Sequence, residues 1–220
     1  MVLPLAAPHL DDDGVHAQLA SLGTKLEYLL PALHAGEAAR RTAAPNHPSN
    51  TAGTRAYQEH VRVIREEHIR HEGWQRLIHD HLELVCNPDH NLAIGVMVGD
   101  AATGNPRLHA TNLHRRGAAT ERAAEQNTQL ELFARPTGAD EALLGEDESA
   151  SLQTWFLVSY RAEVGDAVRI HSELSLPGQV KGGFVVDWQR RIPLPAIEMD
   201  GIELPDDDGV EEIDIQVDFR

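Results

Sequence analysis

Apolar residues along this chain fall into two periods. In the first third they recur every three or four positions. From about residue 82 they alternate or run together, with one helical stretch between. Over residues 15–35, Leu19, Leu22, Leu26, Leu29, Leu30 and Leu33 share one face of a helix, with Asp13 placed to cap its start and Gly36 near its end. Residues 54–71 repeat the spacing, with Tyr57, Val61, Ile64 and His68 or Ile69 on one side and Arg62, Arg65, Glu66 and Arg70 on the other. Gly73 supplies the stop. Between them, residues 42–53 (TAAPNHPSNTAG) have the Pro, Asn, Ser and Thr content of a linker. The pattern divides the chain into an N-terminal arm, residues 1–50, and a single domain over residues 51–220.

Leu82, Leu84 and Cys86 open the period-two region as a short strand, and NPDHN (87–91) reads as a turn. Residues 92–98, LAIGVMV, are almost wholly apolar, which predicts a strand covered on both faces at the centre of a sheet. A loop over residues 100–117 leads to a helix over 118–133 with Ala119, Ala123, Gln126, Leu130 and Phe133 on one stripe. Further strands are expected at 153–161, 167–176, 183–192 and 211–219. In the first of the two central ones Val168, Ile170, Ser172, Leu174 and Leu176 face inward, with Arg169, His171, Glu173 and Ser175 toward solvent. In the second Phe184, Val186, Trp188 and Ile192 face inward. PGQVKGG (177–183) is the turn between them, and the Pro-rich stretch 193–209 reads as irregular. The fold class is therefore α+β: two N-terminal helices followed by an antiparallel or mixed sheet of about six strands, with one helix packed on a face.

Charge narrows the partners. Lys and Arg number 19 against 35 Asp and Glu, a net charge of −16, which repels polyphosphate at range and makes nucleic acid an unfavoured partner. Ten of the carboxylates fall in residues 198–220, a solvated end or a surface for a basic protein. Cys86 is the single cysteine, so no intrachain disulfide and no Cys-rich zinc site can form; a small buried apolar residue is expected there. The N-terminal residues lack a basic leader region, and no run is long enough to span a bilayer. The expectation is a cytoplasmic protein of a bacterial cell with no membrane contact.

Three constellations carry candidate chemistry. The first is the loop after the apolar strand: Asp100 at its start, and Asn112, His114, Arg115 and Arg116 just before the helix at 118. A helix N-terminus offers unpaired N–H donors and partial positive charge, and two Arg add forked donors suited to phosphate or carboxylate. The spacing is neither a dinucleotide-binding nor a Walker pattern, and the plainer reading is exposed Arg pairing with the many carboxylates. The second is His60, His68, His71, His79 and His81, of which His68 and His71 share a helix side and could ligate zinc with a third group. The plainer reading is scattered helix-end histidines, and no metal site is assigned. The third is the outer face of the 167–192 hairpin, where Glu173 faces Asp187 in one register and His171 faces it in another. A solvated face is the plainer reading there too. Nucleophile motifs are absent, so no catalytic residue and no cofactor is assigned.

The segments GTRAY (53–57), GW (73–74), NPDHNLAIGVMVGDAATG (87–104), ELSLPG (173–178), W-QRRIPLP (188–195) and EEIDIQV (211–217) form a pattern that resembles an uncharacterised family of bacterial hypothetical proteins. The resemblance covers about residues 53–217. It implies a basic residue before the 118–133 helix, filled here by Arg116 followed by Gly117, and implies no catalytic residue. The leading functional expectation is a non-enzymatic protein-binding or accessory protein, acting on a protein partner or as a homo-oligomer through the leucine-rich helix. The alternatives are a phosphate-ligand-binding protein or enzyme using the 100–117 loop, and a His-based metal-dependent hydrolase.

Overall fold

The computed structural model describes residues 12–134 and 152–199. Three helices come first: α1 (Asp12–Ser21), α2 (Leu26–Arg41) and α3 (Thr51–Glu72). Strands β1 (Gln75–His79), β2 (Leu82–Asn87) and β3 (Leu92–Val98) follow, then α4 (Ala118–Ala134), then β4 (Gln153–Val164), β5 (Ala167–Lys181) and β6 (Phe184–Met199). The six strands form one sheet in the order β1-β2-β3-β4-β5-β6. Every neighbouring pair is antiparallel except β3–β4, which is parallel because the connection carrying α4 returns the chain to the same end. The expected α+β class and central apolar strand are both seen.

The helices depart from expectation in number. Residues 15–35 do not form one helix: α1 stops at Gly23, which takes a left-handed φ of 71°, while the Thr24 N–H returns to the Leu19 carbonyl at 3.1 Å. Gly36, expected as a helix end, lies inside α2. A Cβ there would fall 2.0 Å from His60 Nε2, so the glycine is what lets α2 and α3 cross closely. There are thus three helices before the sheet and a fourth inside it.

The strand count of six is reached by a different route. The β1 strand was not foreseen, and the strand expected at 211–219 lies outside the described residues. Residues 193–199 were expected to be irregular, yet they continue β6. Pro193 and Pro195 are tolerated because β6 is an edge strand and Pro195 falls in a break of register between the Leu194 and Ile197 pairings. The loop between β5 and β6 is only Gly182-Gly183, both at positive φ, the two-residue hairpin form that needs glycine. Further register breaks between the Val185 and Arg190 pairings put Trp188, with Val185, on the face opposite Ile192. Val185 is buried while Phe184 and Val186 are exposed, opposite to the expected alternation. Cys86 is half-buried rather than sealed in the core, and burial raises its thiol pKa.

One face of the sheet carries α1–α3. Leu19, Leu29 and Leu33 pack with Ile64, Val85, Ile94, Trp155, Leu157 and Leu174 in a single cluster. A fully buried Leu stabilises a fold by about 1.5–3 kcal/mol. The leucine stripe is therefore a principal source of stability and not a free arm. The boundary drawn at residue 50 cuts through this core. On the opposite face, α4 turns Thr120, Ala123, Ala124 and Asn127 inward, one position round from the expected stripe. The Asn127 side chain acts as a clasp. Its Nδ2 donates to the Thr154 and Pro177 carbonyls at 3.1 and 3.0 Å, and its Oδ1 accepts from the Thr154 N–H at 2.9 Å.

His68 plugs the junction of α1, α2 and α3 with no solvent exposure. The Ile64 carbonyl, 2.7 Å away, can only accept, so Nδ1 carries the proton and Nε2 accepts from the Thr24 hydroxyl at 2.8 Å. The rings of Tyr28 and Trp74 enclose it. Both nitrogens are used, and His71 stacks on Tyr28, so this pair forms an aromatic nest and not a ligand pair. Among the described residues no three His, Cys, Asp or Glu side chains are grouped as a metal would require. No described helix is long and apolar enough to cross a membrane.

Two outcomes follow for stability. Replacing Asn127 with Ala leaves the Thr154 N–H buried without a partner, and chemical denaturation should show a loss of roughly 2–4 kcal/mol. Burial lowers the His68 pKa from 6.5 to about 4. Its contribution is complete above pH 6.5, where neither state binds a proton there, and is lost as pH falls toward 4 and the unfolded chain protonates first, roughly 3 kcal/mol across that window. Urea unfolding at pH 7 and pH 4.5 should show a smaller drop in His68→Gln than in the parent protein.

Candidate functional site

The loop after β3 is held at both ends by backbone-like bonds. Gly99 bridges Asn112, and the Leu113 N–H donates to the Val98 carbonyl at 2.9 Å, so residues 112–113 extend the edge of β3 where β2 has left it. Asp100 makes the first turn: its Oδ1 accepts from the Ala102 N–H at 3.1 Å. Asn112 is buried and imitates a strand residue with its side chain. Nδ2 donates to the Gly183 and His114 carbonyls at 2.8 and 2.7 Å, and Oδ1 accepts from the Val185 N–H at 2.7 Å. Both residues are spent on the loop's own geometry. Arg115 is exposed, and its stem lies against Gly183, where a Cβ would fall 2.4 Å from Arg115 Cγ and 2.5 Å from the Arg116 carbonyl oxygen.

A buried ion pair fixes the middle of the loop. Glu173 was expected on a solvated face but has no exposure. Arg191 grips it through two bonds, Nε to Oε1 at 2.9 Å and Nη2 to Oε2 at 2.6 Å. The Ser175 hydroxyl and the Gly104 N–H, each at 2.8 Å, complete the carboxylate's shell. The other donor edge of Arg191 reaches the loop, with Nη1 on the Leu108 carbonyl at 2.6 Å and Nη2 on the Asn105 carbonyl at 3.3 Å. Glu173 pairs with Pro193 and Asp187 with Gln179, so neither the expected carboxylate pair nor the His171–Asp187 pair forms. The outer face of this hairpin is covered where the loop crosses it.

The loop delivers its last residues to a cavity of about 450 Å³ at the carboxyl end of the parallel pair β3–β4. That is where the chain diverges to either side of an α/β crossover and where ligands gather. From α2 come Gly36, Glu37 and Arg40; from α3, Gly53, Ala56, Tyr57 and His60; from β3, Val96–Val98; from the loop, Leu113, His114 and Arg116; from β4, Ser159–Arg161. A shallower groove of about 590 Å³ shares Arg40, Gly53, Tyr57 and His114 with it. Of the five loop residues singled out in the sequence, His114 and Arg116 line this cavity, whereas Asp100, Asn112 and Arg115 do not. The N-terminal turn of α4 is not part of its wall.

Charge in the cavity is uneven. Glu37 is buried and saturated: Arg41 Nε lies 3.0 Å from Oε1, Arg161 Nε lies 3.0 Å from Oε2, and Arg40 Nε lies 3.8 Å away. Arg116 has no carboxylate partner among the described residues. Its Nε is 3.4 Å from the Thr120 hydroxyl, its guanidinium lies 5.9 Å from the centre of the Phe156 ring, and burial lowers its pKa. Burial also lowers the His60 pKa to about 4, so His60 is neutral at pH 7. Burial raises the Tyr57 pKa, so that residue presents an un-ionised hydroxyl. No family model, curated protein or solved structure matches the chain.

The α2, α3 and β4 contributions were not foreseen, since they come from residues far apart in sequence. The one local signal was Gly36, a glycine within a helical pattern, which marks close approach of another element. Truncating Arg191 to Ala would strand the Glu173 carboxylate in the interior, and denaturation should report a loss of about 3–5 kcal/mol. The double variant Glu173→Leu/Arg191→Met should recover part of that loss while amide exchange in residues 102–108 stays fast, because the loop carbonyls have lost their donor.

Proposed function

We propose that this protein binds a small organic or inorganic anion, a carboxylate or phosphate, in the cavity between α2, α3 and the β3–β4 ends, with Arg116 as its principal charge. The observation that carries this is the isolation of Arg116 from every carboxylate among the described residues. In a chain with 35 acidic against 19 basic residues, a carboxylate partner is easily found. Four other covered guanidinium groups have one: Arg41 and Arg161 at Glu37, Arg65 at Glu83, Arg191 at Glu173. Leaving a largely buried cation unpaired costs several kcal/mol, and a ring contact of the Phe156 kind returns about 0.5–2 kcal/mol. An incoming anion supplies the difference. Arg40 and His114 stand at the shared mouth of cavity and groove, where they add further donors.

The other expected functions draw less support. Self-association through the leucine-rich helix would need side chains that are committed to the core, and of the His68–His71 pair His68 has both nitrogens bonded internally while His71 stacks on Tyr28.

A thermal-shift and calorimetric titration with sodium phosphate, phenyl phosphate and benzoate tests the proposal. At least one of these should raise the melting temperature of the parent protein, and Arg116→Gln should abolish the response. Without added anion, Arg116→Gln should melt at or above the parent temperature, since the substitution removes an unpaired cation. A parent protein indifferent to all three, or an unliganded Arg116→Gln that melts well below it, would sink the reading.

A further inference from the structure

Large apolar side chains left in solvent are individually unremarked, but their grouping round a concavity is not. Among the described residues nine large hydrophobic side chains are exposed, and three of them, Tyr57 at 40%, Val98 at 42% and Leu113 at 48%, line this one cavity. They come from α3, β3 and the loop, so no single amphipathic element explains their meeting. Deeper in, Val96, Met97 and Ile170 are buried and continue the apolar wall. The charged groups stand apart from these: Glu37 is neutralised by its arginines, and Arg116 lines the cavity with no carboxylate partner among the described residues.

The geometry points to an amphipathic organic anion, one whose carboxylate or phosphate meets Arg116 while an apolar body covers Tyr57, Val98 and Leu113. This rests on the reading of the cavity as an anion site and adds the nature of the rest of the ligand. Two considerations favour it over a bare ion. A cavity of about 450 Å³ lies within the range of organic-ligand pockets, roughly 300–1,000 Å³, and a bare phosphate would fill a corner of it. A bare ion would also leave the three exposed side chains in water, whereas an apolar body removes them from it. Gly53 and Ala56, beside Tyr57 on α3, keep that wall low enough for such a body to lie against the helix.

The test is a matched series on the full chain by calorimetry: acetate, butyrate and hexanoate, with hexanol as the uncharged control and phosphate beside phenyl phosphate. Each methylene removed from water should tighten binding by up to about fourfold, so hexanoate should exceed acetate by one to two orders of magnitude. Phenyl phosphate should likewise exceed phosphate, and hexanol should bind far more weakly than hexanoate. Leu113→Ser and Val98→Thr, both at exposed positions, should reduce the gain per methylene. Arg116→Gln should weaken every anion in the series by a similar factor. Equal affinity for acetate and hexanoate, and for phosphate and phenyl phosphate, would overturn the amphipathic inference while leaving the anion reading in place. Failure of every anion to bind would overturn the anion reading itself. Hexanol binding as tightly as hexanoate would show that the charge is not recognised and would overturn both.

Discussion

The contact on which the loop-bearing side of the molecule depends is the pair between Glu173 and Arg191. A carboxylate with no exposure is tolerated only if its lone pairs are met, and here they are: two guanidinium bonds, one hydroxyl and one backbone N–H. The same guanidinium then spends its remaining donors on loop carbonyls at Leu108 and Asn105. One charge pair thus joins β5, β6 and the loop after β3. Because both ions are desolvated, their net contribution to stability is modest, but removing either alone is costly. The pair therefore defines the loop's path more than it adds stability. Asn112 continues the work by holding the loop to the Gly182-Gly183 hairpin.

The two faces of the sheet solve different problems. Toward α1–α3 the contact is apolar and continuous, with leucines of α1 and α2 and Ile64 of α3 meeting Trp155, Leu157 and Leu174. Toward α4 and the loop it is studded with polar groups closed by specific partners, such as Asn127 on the Thr154 and Pro177 backbone and Asn112 on Gly183 and Val185. Hydrophobic burial is non-directional and sets the first face; hydrogen-bond geometry sets the second. The cavity lies where these regimes meet, at the ends of β3 and β4. There the chain changes from antiparallel to parallel pairing, and the helical layer and the loop both end.

Electrostatically the cavity runs against the whole. A net charge of −16 creates a field that repels anions at a distance, yet Arg40, Arg116 and Arg161 converge on one recess. At physiological ionic strength the general field is screened over about 8 Å, whereas a covered guanidinium acts at contact. The global charge therefore governs what approaches from afar, and the local charge governs what is held. Glu37 shows the balance: buried, it pairs with Arg40, Arg41 and Arg161, whereas Arg116 meets no carboxylate among the described residues.

What the amino-acid order determines by itself is whatever depends on near neighbours. The apolar run of residues 92–98 reads as a strand covered on both sides, and it is the third of six, buried from Leu92 to Met97. The helical spacing of the leucines, the polar turns and the basic residues before α4 are equally local. What the order alone could not convey depends on distant pairings. The breaks of register in β6 turn Trp188 to the face opposite Ile192, and no local rule places a bulge. Glu173 looks solvated until the loop crosses it. The cavity-lining set joins Arg40, Tyr57, His60, His114 and Arg116 across more than seventy positions, because the closing of α2 and α3 over the strand ends is a tertiary event. Periodicity reports which face of an element is apolar; only packing decides what that face, or its opposite, will meet.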